Sequence, residues 1–383
     1  MDYYLDAAAT TPVDIPVLTS MFPYFRLRFH NPSASYTPAY EVSKDIEAVR
    51  SSIADFMHCR PSEVYFTSGA SESNAWAMQG WLRKHPDGRI ITTNIEHKSI
   101  MAMVDDPFFK PYFDVINVNE DGYVKIKEIY DAMDRAYASG IKPRDILVAI
   151  QYANNEIGTR QGIYFLAEAV KAEGSYFFTD ATQAFAEGGD YLFSENVDMM
   201  SMSGHKIGAP KGIGLLFMKD YIDLPPLIYG TQNSGKRGGT ENVPYIIALG
   251  RAFEVLKNNP DRWMVVEARD CLCEELKKIT PIKINGGADC LCNNLNITFL
   301  DEDINGQNLV NILSAMGVYI SVGSACSAHS DEPSYVLKAI GLTDEEIYRT
   351  VRITLPYDFK EENIPDVVEQ FEKAIDLIKE SKK

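Results

Sequence analysis

Tyr176-Phe177-Phe178-Thr179-Asp180-Ala181-Thr182-Gln183 and, further on, Val197-Asp198-Met199-Met200-Ser201-Met202-Ser203-Gly204-His205-Lys206 decide the fold. Each is a short apolar run that ends in polar residues. Runs of this kind read as buried strands of a parallel sheet. Ligands of open α/β sheets lie at the carboxyl edge of the strands, so Asp180 and Lys206 are expected at the same edge. A carboxylate and a lysine there suit a cofactor with one cationic ring nitrogen and one aldehyde. Pyridoxal phosphate has both. On that reading Lys206 carries the aldehyde as a Schiff base, and Asp180 keeps the pyridine nitrogen protonated. A surface lysine and a strand-end aspartate would give the same spacing, which leaves both readings open.

Around this pair the pattern repeats. Val64-Tyr65-Phe66 reads as a strand, and Thr67-Ser68-Gly69-Ala70-Ser71 as a small-residue turn into a helix through Trp76. The first N–H groups of a helix have no partners within it, so such a turn can hold a phosphate. Arg89–Thr93 and Ile146–Ile150 read as further strands, followed by Glu96-His97 and by Asn154-Asn155-Glu156-Ile157-Gly158. Helical periodicity fits Glu41–Met57, Lys125–Tyr137, Ile163–Gly174 and Val243–Lys257. The alternation predicts an α/β fold with a doubly wound sheet. Asn258-Asn259-Pro260-Asp261 marks a break, after which an α+β pattern runs to a helix over Ile364–Ile378. The expected division is a large domain over 15–257 and a small one from 1–14 with 258–383.

Composition narrows the function. At 383 residues, 45% hydrophobic, the chain can bury a substantial core. A net charge of −17 argues against nucleic acid and anionic membranes as partners. Met1-Asp2-Tyr3-Tyr4 offers no basic leader and no apolar run reaches membrane-spanning length. A cytoplasmic protein with reduced cysteines is expected. Cys271/Cys273 and Cys290/Cys292 fit zinc spacings poorly, so no metal is expected. Gly230–Arg237 approaches a nucleotide-binding loop, but Arg237 stands where magnesium binding needs Ser or Thr. Cys326 sits among small and polar residues in the loop Gly323–Glu332. A thiolate there would be a strong nucleophile; an incidental surface cysteine is the plainer alternative.

Taken in order, these segments resemble the cysteine desulfurases of the class V aminotransferase branch. The resemblance rests on Leu5-Asp6-Ala7-Ala8-Ala9-Thr10-Thr11, on Phe66–Asn74, and on the His97, Asn155, Asp180 and Lys206 segments. Gly323-Ser324-Ala325-Cys326 and Pro333-Ser334-Tyr335-Val336-Leu337 complete it. It implies the pyridoxal-phosphate-dependent transferase (aspartate aminotransferase-like) fold: a large domain with a mostly parallel sheet and helices on both faces, plus a smaller α+β domain. It implies a reaction that turns L-cysteine into L-alanine and leaves the sulfur on Cys326 as a persulfide. It also assigns roles. Lys206 resembles the cofactor lysine, Asp180 the pyridinium partner, and His97 the stacking ring that moves protons. Asn155 and Gln183 resemble groups at the phenolic oxygen. Ala70, Ser71, Ser203 and His205 resemble phosphate contacts. Thr240 is similar to the phosphate contact given by a neighbouring subunit, which implies a homodimer with shared sites. Arg352, with Asn155, resembles the binder of the substrate carboxylate. The ten-residue loop 323–332 resembles the class I type, which passes sulfur to acceptors such as iron-sulfur scaffold proteins. A selenocysteine lyase, another class V lyase and a catalytically silent docking subunit remain the alternatives. Ala7, Ser71, Pro356 and Thr37-Pro38-Ala39-Tyr40 depart from the common pattern without removing a catalytic group.

Overall fold

The computed structural model describes residues 2–188, 195–323 and 332–381. Twelve strands are present among them: β1 (Tyr3–Tyr4), β2 (Val64–Thr67), β3 (Arg89–Thr93), β4 (Phe113–Ile116), β5 (Ile146–Ala149), β6 (Tyr176–Asp180), β7 (Met199–Ser203), β8 (Gly214–Met218), β9 (Ile282–Asn285), β10 (Asn294–Phe299), β11 (Val318–Tyr319) and β12 (Thr350–Thr354). Seven form one sheet in the order β2-β8-β7-β6-β5-β3-β4. The pairs from β7 to β4 are parallel, whereas β8 runs antiparallel to both β7 and β2. The sheet is therefore mostly parallel, as expected of an α/β fold.

Alternation along the strands explains the layers, because successive side chains point to opposite faces. Ile91, Val148, Phe177 and Met200 enter one core. Their chain neighbours Ile90, Leu147, Phe178 and Met199 enter another on the opposite face. Helices Thr37–Phe56, Ile126–Ala138, Ile163–Ala172 and Val243–Lys257 supply the first core, and Ala70–Lys84 and Lys98–Asp105 the second.

A separate core gathers both ends of the chain. Tyr3 and Leu5 pack with residues from Val265 to Ile378 around the antiparallel sheet β12-β10-β9. β1 pairs in parallel with β11. A fourth cluster sets Val336, Leu337 and Ile340 against Ile95 and Ile157, at the carboxyl edge of the large sheet. This contact brings the segment after Glu332 beside the strand ends.

Three elements differ from the sequence reading. Ile15–Arg26 is a helix although it carries Pro16 and Pro23. Pro16 is tolerated in the first turn, where its missing N–H would be unpaired anyway. Phe113–Ile116 is a strand whose mixed pattern gave no signal. β11 ends at Tyr319, and Ser321 beyond it bridges Arg352. Helix Thr37–Phe56 also begins four residues before the expected start, with Pro38 in its first turn. Cys271 and Cys273 lie on helix Val265–Ile279, with Cys273 buried and Cys271 partly exposed.

Candidate active site

β6 ends in Asp180, and β7 ends in Ser203 followed by a single tight turn over Gly204–Lys206. The two strands are neighbours, with Asp180 in register with Ser201. Asp180 and Lys206 therefore reach one cavity of about 430 Å³. Both are buried. The Asp180 carboxylate is held by two donors, the Asn74 amide at 2.8 Å and the Thr182 N–H at 3.0 Å. Asn74 is itself fixed, donating to Ser99 and accepting from Ser201. The Lys206 ammonium donates to the carbonyls of Ala8 and Ala9. The amino-terminal segment thus closes over the lysine.

The same cavity is walled on one side by the turn from Ser68 to Glu72, at the start of helix Ala70–Lys84. Gly69 has φ of +153°, and its helix end carries no side-chain cap. A Cβ on Gly214 would stand 2.6 Å from Gly69 Cα, so only glycine lets the turn lie this close to β8. Ser71, Ser203 and His205 line the cavity beside this helix end. Burial pushes the His205 ring down to about 4, aided by Lys206 and Lys211, so the ring is neutral at pH 7.

His97 caps helix Lys98–Asp105 and lines the cavity. Its Nδ1 accepts from the Ser99 N–H at 3.1 Å. With Nδ1 an acceptor, a neutral ring carries its proton on Nε2. Asn155 and Gln183 complete this side, and Gln183 donates to the Ala8 carbonyl at 3.1 Å.

Arg352 stands in β12 and is 1% exposed. Its guanidinium donates to Asp6 at 2.7 Å and to the Asn155 carbonyl at 2.9 Å. Its Nε has no partner among the described residues. A buried arginine with spare donor capacity facing a cavity can take a carboxylate.

Ten of the expected site residues therefore line one cavity: Ala70, Ser71 and His97; Asn155, Asp180 and Gln183; Ser203, His205 and Lys206; and Arg352. Thr240 does not line it; it is exposed on the loop before helix Val243–Lys257. Cys326 lies outside the described residues. Lys211 and Glu72 line the cavity without having been singled out in the sequence. The Asp6 pair with Arg352 was also not anticipated, although Asp6 stands in the amino-terminal signature.

The cavity fits pyridoxal phosphate on its own features. It joins an uncapped helix end to a fixed carboxylate and a buried lysine. Ala70, Ser71, Ser203 and His205 would hold the phosphate, Asp180 the ring nitrogen and Lys206 the aldehyde.

Known proteins resemble this chain over nearly its whole length. The family model for aminotransferase class-V matches residues 3–367. "Cysteine desulfurase IscS" of Methanosarcina thermophila is 36% identical over 96% of this chain and 90% of its own length. A solved "NIFS-LIKE PROTEIN" superposes with a TM-score of 0.88 at 29% identity, covering 98% of this chain and all of that one. The structure of "SspA in complex with cysteine" gives a TM-score of 0.78 at 35% identity over 93% of this chain and 99% of that one.

Proposed function

Because the chain belongs to the class V aminotransferase family, in its cysteine desulfurase branch, we propose that it converts L-cysteine to L-alanine and transfers the sulfur to Cys326. The observation that carries this reading is the single cavity into which Asp180, Lys206, His97 and Arg352 converge beside an uncapped helix end. A relative that superposes on this chain was solved with cysteine bound, which supports the substrate. Pyridoxal phosphate is the cofactor. When bound, it draws electrons from the substrate amino acid and weakens the bonds at its α-carbon.

The residues of the chain do the rest. Arg352 holds the substrate carboxylate, with Asn155 beside it. Lys206 moves the proton at the α-carbon. His97, which lines the same cavity, is the second group that moves a proton. The Cys326 thiolate attacks the substrate sulfur. The carbon–sulfur bond breaks as the sulfur–sulfur bond forms, and the protons released on the way complete alanine. One cysteine plus one protein thiol yields one alanine plus one protein persulfide.

The same reading makes the protein a homodimer with shared sites. Thr240 lies outside its own cavity on an anchored loop. Phe22, Phe25, Leu27 and Phe29 are each more than half exposed, an apolar surface of the kind that marks an interface. The separate cores support a large domain over 15–257 and a small one from 1–14 with 258–383. Among the described residues no helix is long and apolar enough to cross a membrane. A cytoplasmic enzyme serving a sulfur acceptor, such as an iron-sulfur scaffold protein, completes the proposal.

The test is direct. The purified protein with pyridoxal phosphate should be yellow and should release alanine from cysteine when a reductant is present. Lys206→Ala should abolish alanine release. A wild-type protein that stays colourless after pyridoxal phosphate is added would rule the reading out.

A further inference from the structure

Glu72 is an unexpected residue for a phosphate site. It is the third residue of the helix whose open end faces the cavity, and it lines that cavity itself. Its carboxylate also takes the Ser68 N–H at 2.7 Å, which removes one donor from the turn. An uncompensated anion here would repel a phosphate dianion. Burial pushes the carboxyl up, but hydrogen bonds from Arg237 and Ser68 outweigh that and hold it below its ordinary value. The group is therefore ionised at neutral pH.

Arg237 answers this charge from far along the chain. Its guanidinium meets Glu72 with two parallel hydrogen bonds, at 2.8 and 3.1 Å, and both side chains are largely buried. Such a fork is the strong form of an ion pair. The loop around Arg237 is pinned elsewhere as well. Asn233 accepts from the buried Arg50 at 3.0 Å, and Lys236 pairs with Asp223. The Gly239 N–H donates to Gln232 at 2.9 Å, one residue before Thr240.

We infer that Arg237 is a positioning residue for cofactor retention, cancelling the Glu72 charge at the phosphate turn while tying that turn to the loop that carries Thr240. This deepens the proposed function and rests on its cofactor site. The two effects separate in a charge argument. A pair that only braced the fold would be damaged by loss of either partner. A pair that neutralises an anion beside a phosphate is damaged by loss of the cation and relieved by loss of the anion.

The experiment follows the loss of pyridoxal phosphate from the yellow holoenzyme into buffer, by absorbance. Arg237→Met should speed the loss about tenfold or more, the effect of one poorly screened charge close to the phosphate. Glu72→Gln should lose cofactor no faster than wild type. The double variant should return to within about threefold of wild type, and Arg237→Lys, which keeps the charge but not the fork, should fall between Arg237→Met and wild type. Equal rates for Arg237→Met and wild type would overturn the inference. So would a double variant as leaky as Arg237→Met, or an Arg237→Lys variant as leaky as that. A wild type that never turns yellow would instead overturn the proposed function along with it.

Discussion

Glu96, immediately before His97, is a buried acid with little to keep it charged. Its carboxyl meets the Thr93 hydroxyl at 2.7 Å and the Gln151 N–H at 3.0 Å. Burial outweighs these bonds and pushes the carboxyl up to about 8, with Asp180 adding to the rise. A group whose pKa is raised on folding stabilises the fold fully below its unfolded value, near 4.5, and loses that contribution as pH rises through about 8. Glu96→Gln keeps the shape without the titration. Melting temperatures of both proteins at pH 5 and pH 8 should therefore differ in a set direction, the variant gaining on wild type at the higher pH. An unchanged gap would mean that Glu96 is ionised throughout. Nothing in the sequence marks Glu96 apart from its place before His97, because its contacts with Gln151 and Tyr335 come from 55 and 239 positions away. Lys206 and Asp180 were legible because each ends a recognisable strand. Asp6 was not legible as the partner of Arg352, since 346 positions separate them and the pairing of Asp6 with Thr354, two residues beyond Arg352, brings them together.

Among the elements, helix Ile15–Arg26 shows what periodicity missed. Pro12, Pro16 and Pro23 stand in or beside it, and prolines usually mark breaks between elements. Two of them lie inside the helix, and its Val17 and Met21 are buried. Its other face leaves Phe22 and Phe25 largely exposed. If this face meets a second copy, Phe22→Asp with Phe25→Asp should weaken the dimer by ~100-fold or more, because buried aromatics carry much of an interface. Sedimentation should then show monomers where wild type is a dimer, with cofactor lost more readily. A variant that remains a dimer would place the interface elsewhere. The parallel strands were legible for the opposite reason. Buried on both faces, they read as continuous apolar runs, whereas β4, at the sheet edge and half exposed, did not.

At the scale of the whole molecule, the cavity lies where two cores meet. The large sheet brings Asp180, Lys206 and His97, and the core that unites both chain ends brings Arg352 and the Ala8–Ala9 carbonyls. That convergence was predictable only through the family resemblance, since no local pattern says that the first residues close over Lys206. Cys326 completes the proposed chemistry between two fixed points. Before it, Ser321 bridges Arg352; after it, the Ser334 hydroxyl donates to Glu156 at 2.6 Å. Cys326 is the proposed acceptor of the sulfur. Intact-mass measurement after a single turnover with L-cysteine, without reductant, tests it most directly. Wild type should gain one sulfur atom and release one equivalent of alanine. Cys326→Ser should remain yellow with pyridoxal phosphate, gain no sulfur and release at most about a hundredth as much alanine, a hydroxyl being no acceptor for sulfur. Full alanine release by Cys326→Ser, or added sulfur on another cysteine in that variant, would rule Cys326 out as the acceptor.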